Sequence, residues 1–499
     1  MSEVMKAGES RVWLFPDGVG PGKEKIFVGC GRIGDPTFNF GDMTRIECPD
    51  PNRYNEFEEV GSFQGTKERP TTGIVGRYDR RKISELLKAA RKRCRVDVQA
   101  HFGKCRNPQD FNGGWEKILE FQNARFTSWS GENFGALATD EQNPANETGE
   151  ISAKDLYEIT QLEFGEQCAD EVVREIIAIV ICDALECGDC DTPSDGCQKM
   201  FAVMLGIGAT PGTLPSVVYS SDGGVTCAAT DITTLYSNED PSDAACVGPN
   251  LVVISEFGGV HYASSADILA GTEVWHEQTA GIDMVAGNGP ISIWNVDALH
   301  TWIGGANGYI YFSANPLAGW TIQDPGIATI RDLQDIHAFD SERVVAVGTL
   351  NAVIATKNGG LVWEPIFGPA PGETLNCVWM YDEDTWFVGT STGGLYLTQD
   401  EGATWTNVAA TLPVVITEVD EILFYDDTVG YMSARDGAAH SLIFRTIDGG
   451  ETWYVLPEGN GTIPDNDRIN MLAVCADPNV VWGGGLEGGG TDGIIVKAA

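Results

Sequence analysis

The sequence lacks any long hydrophobic run. Its longest apolar stretch, Ile176-Ile177-Ala178-Ile179-Val180-Ile181-Cys182, is too short to span a bilayer as a helix, so no membrane insertion is expected. The first residues, Met1 to Arg11, carry no apolar signal core, and the expectation is a protein made in a cytoplasm without an export signal. Basic residues are scarce: 32 Lys+Arg stand against 72 Asp+Glu, a net charge of −40. That balance argues against anionic membranes and against nucleic acid, sequence-specific binding included, as partners of most of the surface. Histidine is rarer still. Of 6 in the chain, His261, His276, His300, His337 and His440 show no ligand spacing, so no metal site is expected. Stretches rich in Ala, Leu, Glu and Lys are few, which disfavours an all-helical or coiled-coil fold.

Glycine is plentiful instead, at 60 of 499 residues, as many short strands joined by tight turns require. The length suggests about two to four domains. Charge divides them. Residues 200–499 hold 7 Lys+Arg and 37 Asp+Glu, a net of −30, whereas the first 131 residues hold 22 and 18. The early positive charge concentrates between Arg77 and Arg95, in Arg80, Arg81, Lys82, Lys88, Arg91, Lys92, Arg93 and Arg95. So sharp a shift marks two modules. We expect a β-rich assembly domain over 1–182, a Cys/Gly/Asp/Pro/Ser-rich linker over 183–199 and a repeat module over 200–499.

The repeat module is self-similar. Thr446-Ile447-Asp448-Gly449-Gly450-Glu451-Thr452-Trp453 recurs as Thr398-Gln399-Asp400-Glu401-Gly402-Ala403-Thr404-Trp405 and as Thr356-Lys357-Asn358-Gly359-Gly360-Leu361-Val362-Trp363. A copy from Ser220 to Cys227 ends in cysteine, and degenerate copies lie around Ser264 to Trp275 and Ser313 to Trp320. The terminal positions 227, 275, 320, 363, 405 and 453 are 48, 45, 43, 42 and 48 residues apart. Upstream of each box runs a strand–turn–strand pattern, such as Val344–Gly348 leading to Val353–Ala355 and Trp386–Gly389 leading to Leu395–Leu397. Short strands repeating at that period are the pattern of propeller blades. We expect a mainly β fold: a β-sandwich or barrel-like domain with a flanking helix, then a seven-bladed β-propeller. The final unit has no box after it, so its last blade is expected to borrow a strand from the start of the module.

The pattern Ser/Thr-x-Asp-x-Gly-x-Thr-Trp resembles the Asp-box of the BNR family, found in sialidases, sortilin-type receptors and photosystem II assembly factors. Its logic is local: the carboxylate accepts turn N–H groups, glycine supplies positive φ, and the indole packs between neighbouring sheets. The box is thus read as a hairpin closure, not a catalytic group. Sialidases imply three arginines for the substrate carboxylate, a Tyr/Glu nucleophile pair and an acidic proton donor. Here residues 200–499 contain only Arg331, Arg343, Arg435, Arg445 and Arg468, without a Phe/Tyr-Arg-Ile-Pro motif, and a −30 face repels an anionic sugar. We expect no enzyme, no catalytic residues and no cofactor.

In the first module the expected strands are Lys25–Cys30, Thr44–Cys48, Thr72–Tyr78, Arg95–Phe102, Lys117–Thr127 and Leu156–Phe164. A helix over Lys82–Cys94 has Ile83, Leu86, Leu87 and Ala90 on one face and most of the basic cluster on the other. Residues 172–181 read as a buried strand or helix. A sandwich or split barrel with one helix and an appended domain resembles phage tail-tube subunits, with Glu59–Gly65 and Arg69–Thr72 placed like the extended hairpin of that family. The resemblance implies a virion structural protein: a homo-oligomer, ring-forming through its first domain, joined to other virion proteins, with the acidic propeller outward for decoration or for a host-surface protein or glycan. The alternatives are a capsid or decoration protein, a free-standing propeller adaptor for protein or glycan, and last a sialidase-like hydrolase. Cys182, Cys187, Cys190 and Cys197 could pair as disulfides stapling the linker or close around zinc, and Cys227 and Cys246 could pair near the propeller's opening.

Overall fold

The structure, a computed structural model, describes residues 10–15, 18–23, 25–33, 37–39, 47–49, 57–59, 69–78, 96–103, 115–131, 147–152, 155–160, 162, 164–167, 175–181, 199–204, 216–232, 241–283, 289–323, 331–438, 440–456, 468–475, 477–486 and 493–498. The chain divides into two compact units, Met1–Gln161 and Leu162–Ala499. The expected boundaries at 182 and 199 therefore need correction. Phe164–Gln167 and Ile176–Ile181 pair with strands of the repeat module, so the second unit begins well before residue 200.

In the first unit Ser10–Phe15 lies between Ile26–Ile33 and Val96–Gly103, and Val96–Gly103 pairs in turn with the long strand Trp115–Gly131. Arg69–Tyr78 pairs with Ile26–Ile33, while Glu147–Ser152 bridges Arg69–Tyr78 and Trp115–Gly131. The antiparallel pairings thereby form a closed circuit, which fits the barrel-like expectation. Register separates two buried faces. Val12, Leu14, Val98, Ala100, Leu119 and Phe121 share one, and Arg11, Trp13, Gln99, His101 and Glu120 share the other. On the polar face Gln99 donates to Glu120 Oε2 at 3.0 Å, and Gln99 Oε1 lies 3.0 Å from His101 Nε2. The basic segment 82–94 and residues 60–68 lie outside the described residues.

The second unit contains seven four-stranded antiparallel sheets among the described residues. Sheet I comprises Ile176–Ile181, Met200–Met204, Ser216–Ser220 and Ala228–Asp231. The inner strands of sheets II to VII are Pro241–Val247, Pro290–Asp297, Leu333–Ala338, Leu375–Met380, Ile416–Phe424 and Arg468–Val474. Each inner strand touches the next, and Arg468–Val474 touches Ile176–Ile181, closing the ring. The second unit is a β-propeller.

Closure uses a strand from far upstream. Phe164–Gln167 pairs antiparallel with Gly493–Ala498 and becomes the outermost strand of sheet VII. Within the ambiguous 172–181 segment, Ile176–Ile181 is a strand, the inner strand of sheet I. The second strands are nearly all apolar, as in Val344–Gly348 and Trp386–Thr390, where every residue is buried. Both of their faces are covered by neighbouring sheets, which removes the alternation a one-sided strand shows.

The box indoles fill the seams. Trp363 of sheet IV packs with Trp302 and Ile310 of sheet III, and Trp453 of sheet VI packs with Phe387 of sheet V. Trp320 and Trp275 reach back onto sheets II and I in the same way, and Cys227 takes that place against Trp482 of sheet VII. In sheet II the degenerate copy is a short helix, Ser265–Ala270, capped by Ser264 and ended by Gly271 at φ 63°.

Candidate functional site

The box carboxylates are fully engaged. Asp448 Oδ1 accepts from Thr452 N at 2.9 Å and Oδ2 from Thr452 Oγ1 at 2.6 Å, while Thr446 Oγ1 accepts from the Asp448 and Gly450 amides. Asp222 and Asp400 repeat the arrangement with Thr226 and Thr404. Those bonds hold the Asp222 and Asp400 carboxyls below the usual carboxylate range. The second glycine of each turn has positive φ, 86° at Gly450, and an added Cβ there would meet the Phe387 ring at 2.5 Å. This is turn chemistry, as the residue pattern suggested.

The recess lies at the hub. Every inner strand carries a β-bulge near its start, for example between Pro241 and Asp243, Leu333 and Asp335, and Leu375 and Cys377. Ile416–Phe424 has two, which bring Glu421 opposite Ser433. Bulges turn a side chain out of its regular direction. Counted from the second strands, Asp243, Ser292, Asp335, Cys377 and Glu421 fall on one level. One level further along stand Ala245, Trp294, His337, Trp379, Leu423 and Ala473. All of these except Cys377, together with neighbouring residues, line a cavity of about 500 Å³.

Two of the hub carboxylates stitch adjacent sheets. Asp243 Oδ2 accepts from Ile293 N at 2.9 Å, Ser292 Oγ donates to Asp335 Oδ1 at 3.1 Å, and Asp335 Oδ2 accepts from Val378 N at 2.8 Å. Further round, Asn376 donates to Val419 O at 3.0 Å, Arg468 to Asp420 at 3.1 Å, and Asn470 to Glu175 at 3.4 Å. Burial of the charged form pushes Asp243 up to about 7 and raises Asp335; it raises Glu421 too, helped by the Asp335 and Asp243 charges. Cys377, a free and buried thiol, is pushed up for the same reason.

His337 is 4% exposed and lies between the Trp294 and Trp379 rings, with centroids 4.2 and 4.1 Å away. Its Nδ1 accepts from Met380 N at 3.2 Å, which assigns the proton to Nε2. Burial lowers its pKa to about 3, so the ring is neutral at ordinary pH.

The arginines are distributed. Arg343 pairs with Asp340 and Glu383, Arg435 and Arg468 share Glu418 and Asp420, and Arg445 is buried, donating to Pro478 O and Asn479. His300 and His440 each meet an aspartate, Asp297 and Asp436, and His276 stacks on Tyr262. Among the described residues no group of three or more His, Cys, Asp and Glu side chains is arranged to hold a metal ion. Among them, too, no helix is long and apolar enough to cross a membrane. Cys182, Cys187, Cys190 and Cys197 lie outside the described residues. Cys227 and Cys246, considered as a pair, sit against different core clusters.

The hub level was not singled out from the sequence, yet a signal exists. Ser292, Asp335 and Cys377 each lie 28 residues before a box tryptophan, Trp320, Trp363 and Trp405. The hairpin joining Gly430–Asp436 to Ser441–Thr446 is four residues longer than its counterparts, which puts Glu421 32 residues before Trp453 and hides it from that count.

No protein-family model and no curated protein matches the chain. Among solved structures it is similar to YCF48 bound to D1 peptide, at TM-score 0.48 and 13% identity over 68% of this chain and 94% of that one. YCF48 from Cyanidioschyzon merolae is similar at TM-score 0.47 and 13% identity, covering 67% and 98%. U3-55K follows at TM-score 0.45 and 10% identity, covering 67% and 100%. None of the three supports the phage-tail resemblance. The propeller assignment stands on the sheet order and the ring of inner strands.

Proposed function

We propose that the second unit is a noncatalytic platform that binds a basic segment of a protein partner. One observation carries this reading: the hub cavity is lined by Asp243, Asp335, Glu418, Asp420 and Glu421 against the single arginine Arg468. An acidic recess in a section of net charge −30 attracts cationic chains and repels anionic substrates. The engaged box carboxylates favour the same conclusion, since a carboxylate holding a turn is not free for acid–base work. The test is binding of the full-length protein to immobilised peptides of graded charge, followed by calorimetry. Saturable one-to-one binding of basic peptides is expected. Absence of any saturable peptide ligand, or turnover of a fluorogenic sialoside, overturns it.

For the first unit we propose self-assembly in a virion, most specifically as a phage tail-tube subunit, with capsid or decoration roles as the alternatives. The closed antiparallel circuit of that unit and the charge contrast between the two sections favour it. Like-charged propellers on neighbouring subunits repel and stay apart. Light scattering with negative-stain imaging tests it: rings, tubes or shells support assembly, and a monomer at high concentration overturns it.

A further inference from the structure

The hub cavity holds more acceptors than the fold uses. Glu418 and Asp420 are balanced by Arg435 and Arg468. At the bulge level Asp243, Asp335 and Glu421 all line the cavity, and the charges acting on Asp243 and Glu421 are those of other carboxylates. A second observation points the same way. Asn470, only 9% exposed, lines the cavity, and its Oδ1 accepts no hydrogen bond within the chain. Asp420, 8% exposed, also lines it, and its Oδ2 is taken up by Arg435, with Nε at 3.6 Å. A buried acceptor left without a donor, as at Asn470, is costly and calls for one.

Beyond the carboxylates stand Trp294 and Trp379, with ring centroids 5.5 Å apart at 89°. Indole faces attract cations and also cover an aliphatic stem. We propose that the hub is a socket for one cationic side chain, lysine or arginine, projected by the partner segment. Its charged head meets Glu421, Asp335 and Asp243, its remaining donors reach Asn470, and its stem lies along the tryptophans. This inference rests on the protein-binding reading and names the group that reading leaves open.

Glu421 is the variant site of choice. Its side chain makes none of the inter-sheet bonds that Asp243 and Asp335 make, so Glu421→Gln keeps the fold. The experiment titrates full-length protein, by calorimetry and tryptophan fluorescence at fixed ionic strength, with the N-acetyl methylamides of lysine, arginine and norleucine. Saturable binding of the lysine or arginine compound is expected, with none for norleucine. E421Q should weaken it about tenfold or more, while E383Q, at an exposed turn, should leave it unchanged. Equal binding of norleucine, equal affinity in E421Q, or complete competition by stoichiometric calcium each overturns the socket. If basic peptides bind wild type and E421Q alike, the socket fails and the platform stands. If the lysine compound binds at the hub and no peptide does, the platform fails and the socket stands.

Discussion

At the residue scale, identical letters in the repeat do unequal work. Asp448 is fully buried and Asp222 is not, although both make the same bonds. Removing the buried carboxylate leaves the buried Thr446 hydroxyl and the half-buried Thr452 amide without their acceptor, so D448A should cost about 2–4 kcal/mol and D222A about 1 kcal/mol in urea unfolding. Asp243 gives a pH signature. Its folded pKa, about 7, exceeds the unfolded 3.8, so the folded state holds the extra proton between those values. Its contribution is therefore lost as pH rises from about 4 to about 7 and is flat above. D243N lacks this dependence, and the stability gap between wild type and D243N should narrow over that window in thermal melts. A gap independent of pH would show that Asp243 titrates normally. His337 works in the opposite direction: with its folded pKa lowered from 6.5 to about 3, stability falls as pH drops below about 6.5, and H337Q should remove that slope.

At the element scale, strand positions and hairpin turns were legible because they follow local chemistry. Four of the six expected first-unit strands, such as Thr72–Tyr78 against the observed Arg69–Tyr78, lie within a few residues of the observed ones. Thr44–Cys48 instead became Glu47–Pro49, and Leu156–Phe164 divided between two units at Gln161. Ser10–Phe15 was missed because Arg11 to Phe15 are buried on both faces, so it has no alternating pattern to read. The indoles were legible too: a tryptophan at constant spacing has one place to go. Trp363 and Trp453 are each 5% exposed in an inter-sheet seam, and truncation of either to alanine should cost about 3–5 kcal/mol. Trp405 is less covered, and its Nε1 donates to Phe367 O at 3.0 Å, so W405A should cost less. Chemical denaturation of the three variants side by side checks the order.

At the scale of the whole molecule, closure of the ring depends on four residues far from the repeats. Phe164–Gln167 covers the outer edge of sheet VII by pairing with Gly493–Ala498. Replacing 164–167 with a glycine–serine segment of equal length removes the pairing side chains and weakens the strand while keeping the connection. The expected result is a lower unfolding temperature and rapid proteolysis at the carboxyl end, with hydrogen exchange spreading first into sheets VII and I. Unchanged protection of Gly493–Ala498 would show that closure does not need this strand.

The sequence by itself determined the blades, because the repeat, the box turns and the buried indoles are set by interactions within about fifty residues. Only the tertiary structure decided where the ring begins, which strand seals it, and that Asp243, Asp335 and Glu421 meet at the hub. Those residues are far apart along the chain, and a one-residue bulge shifts which of them faces the cavity. Spacing from the box tryptophans marks Asp335 but neither Asp243 nor Glu421, whereas the ring of inner strands brings all three to the hub.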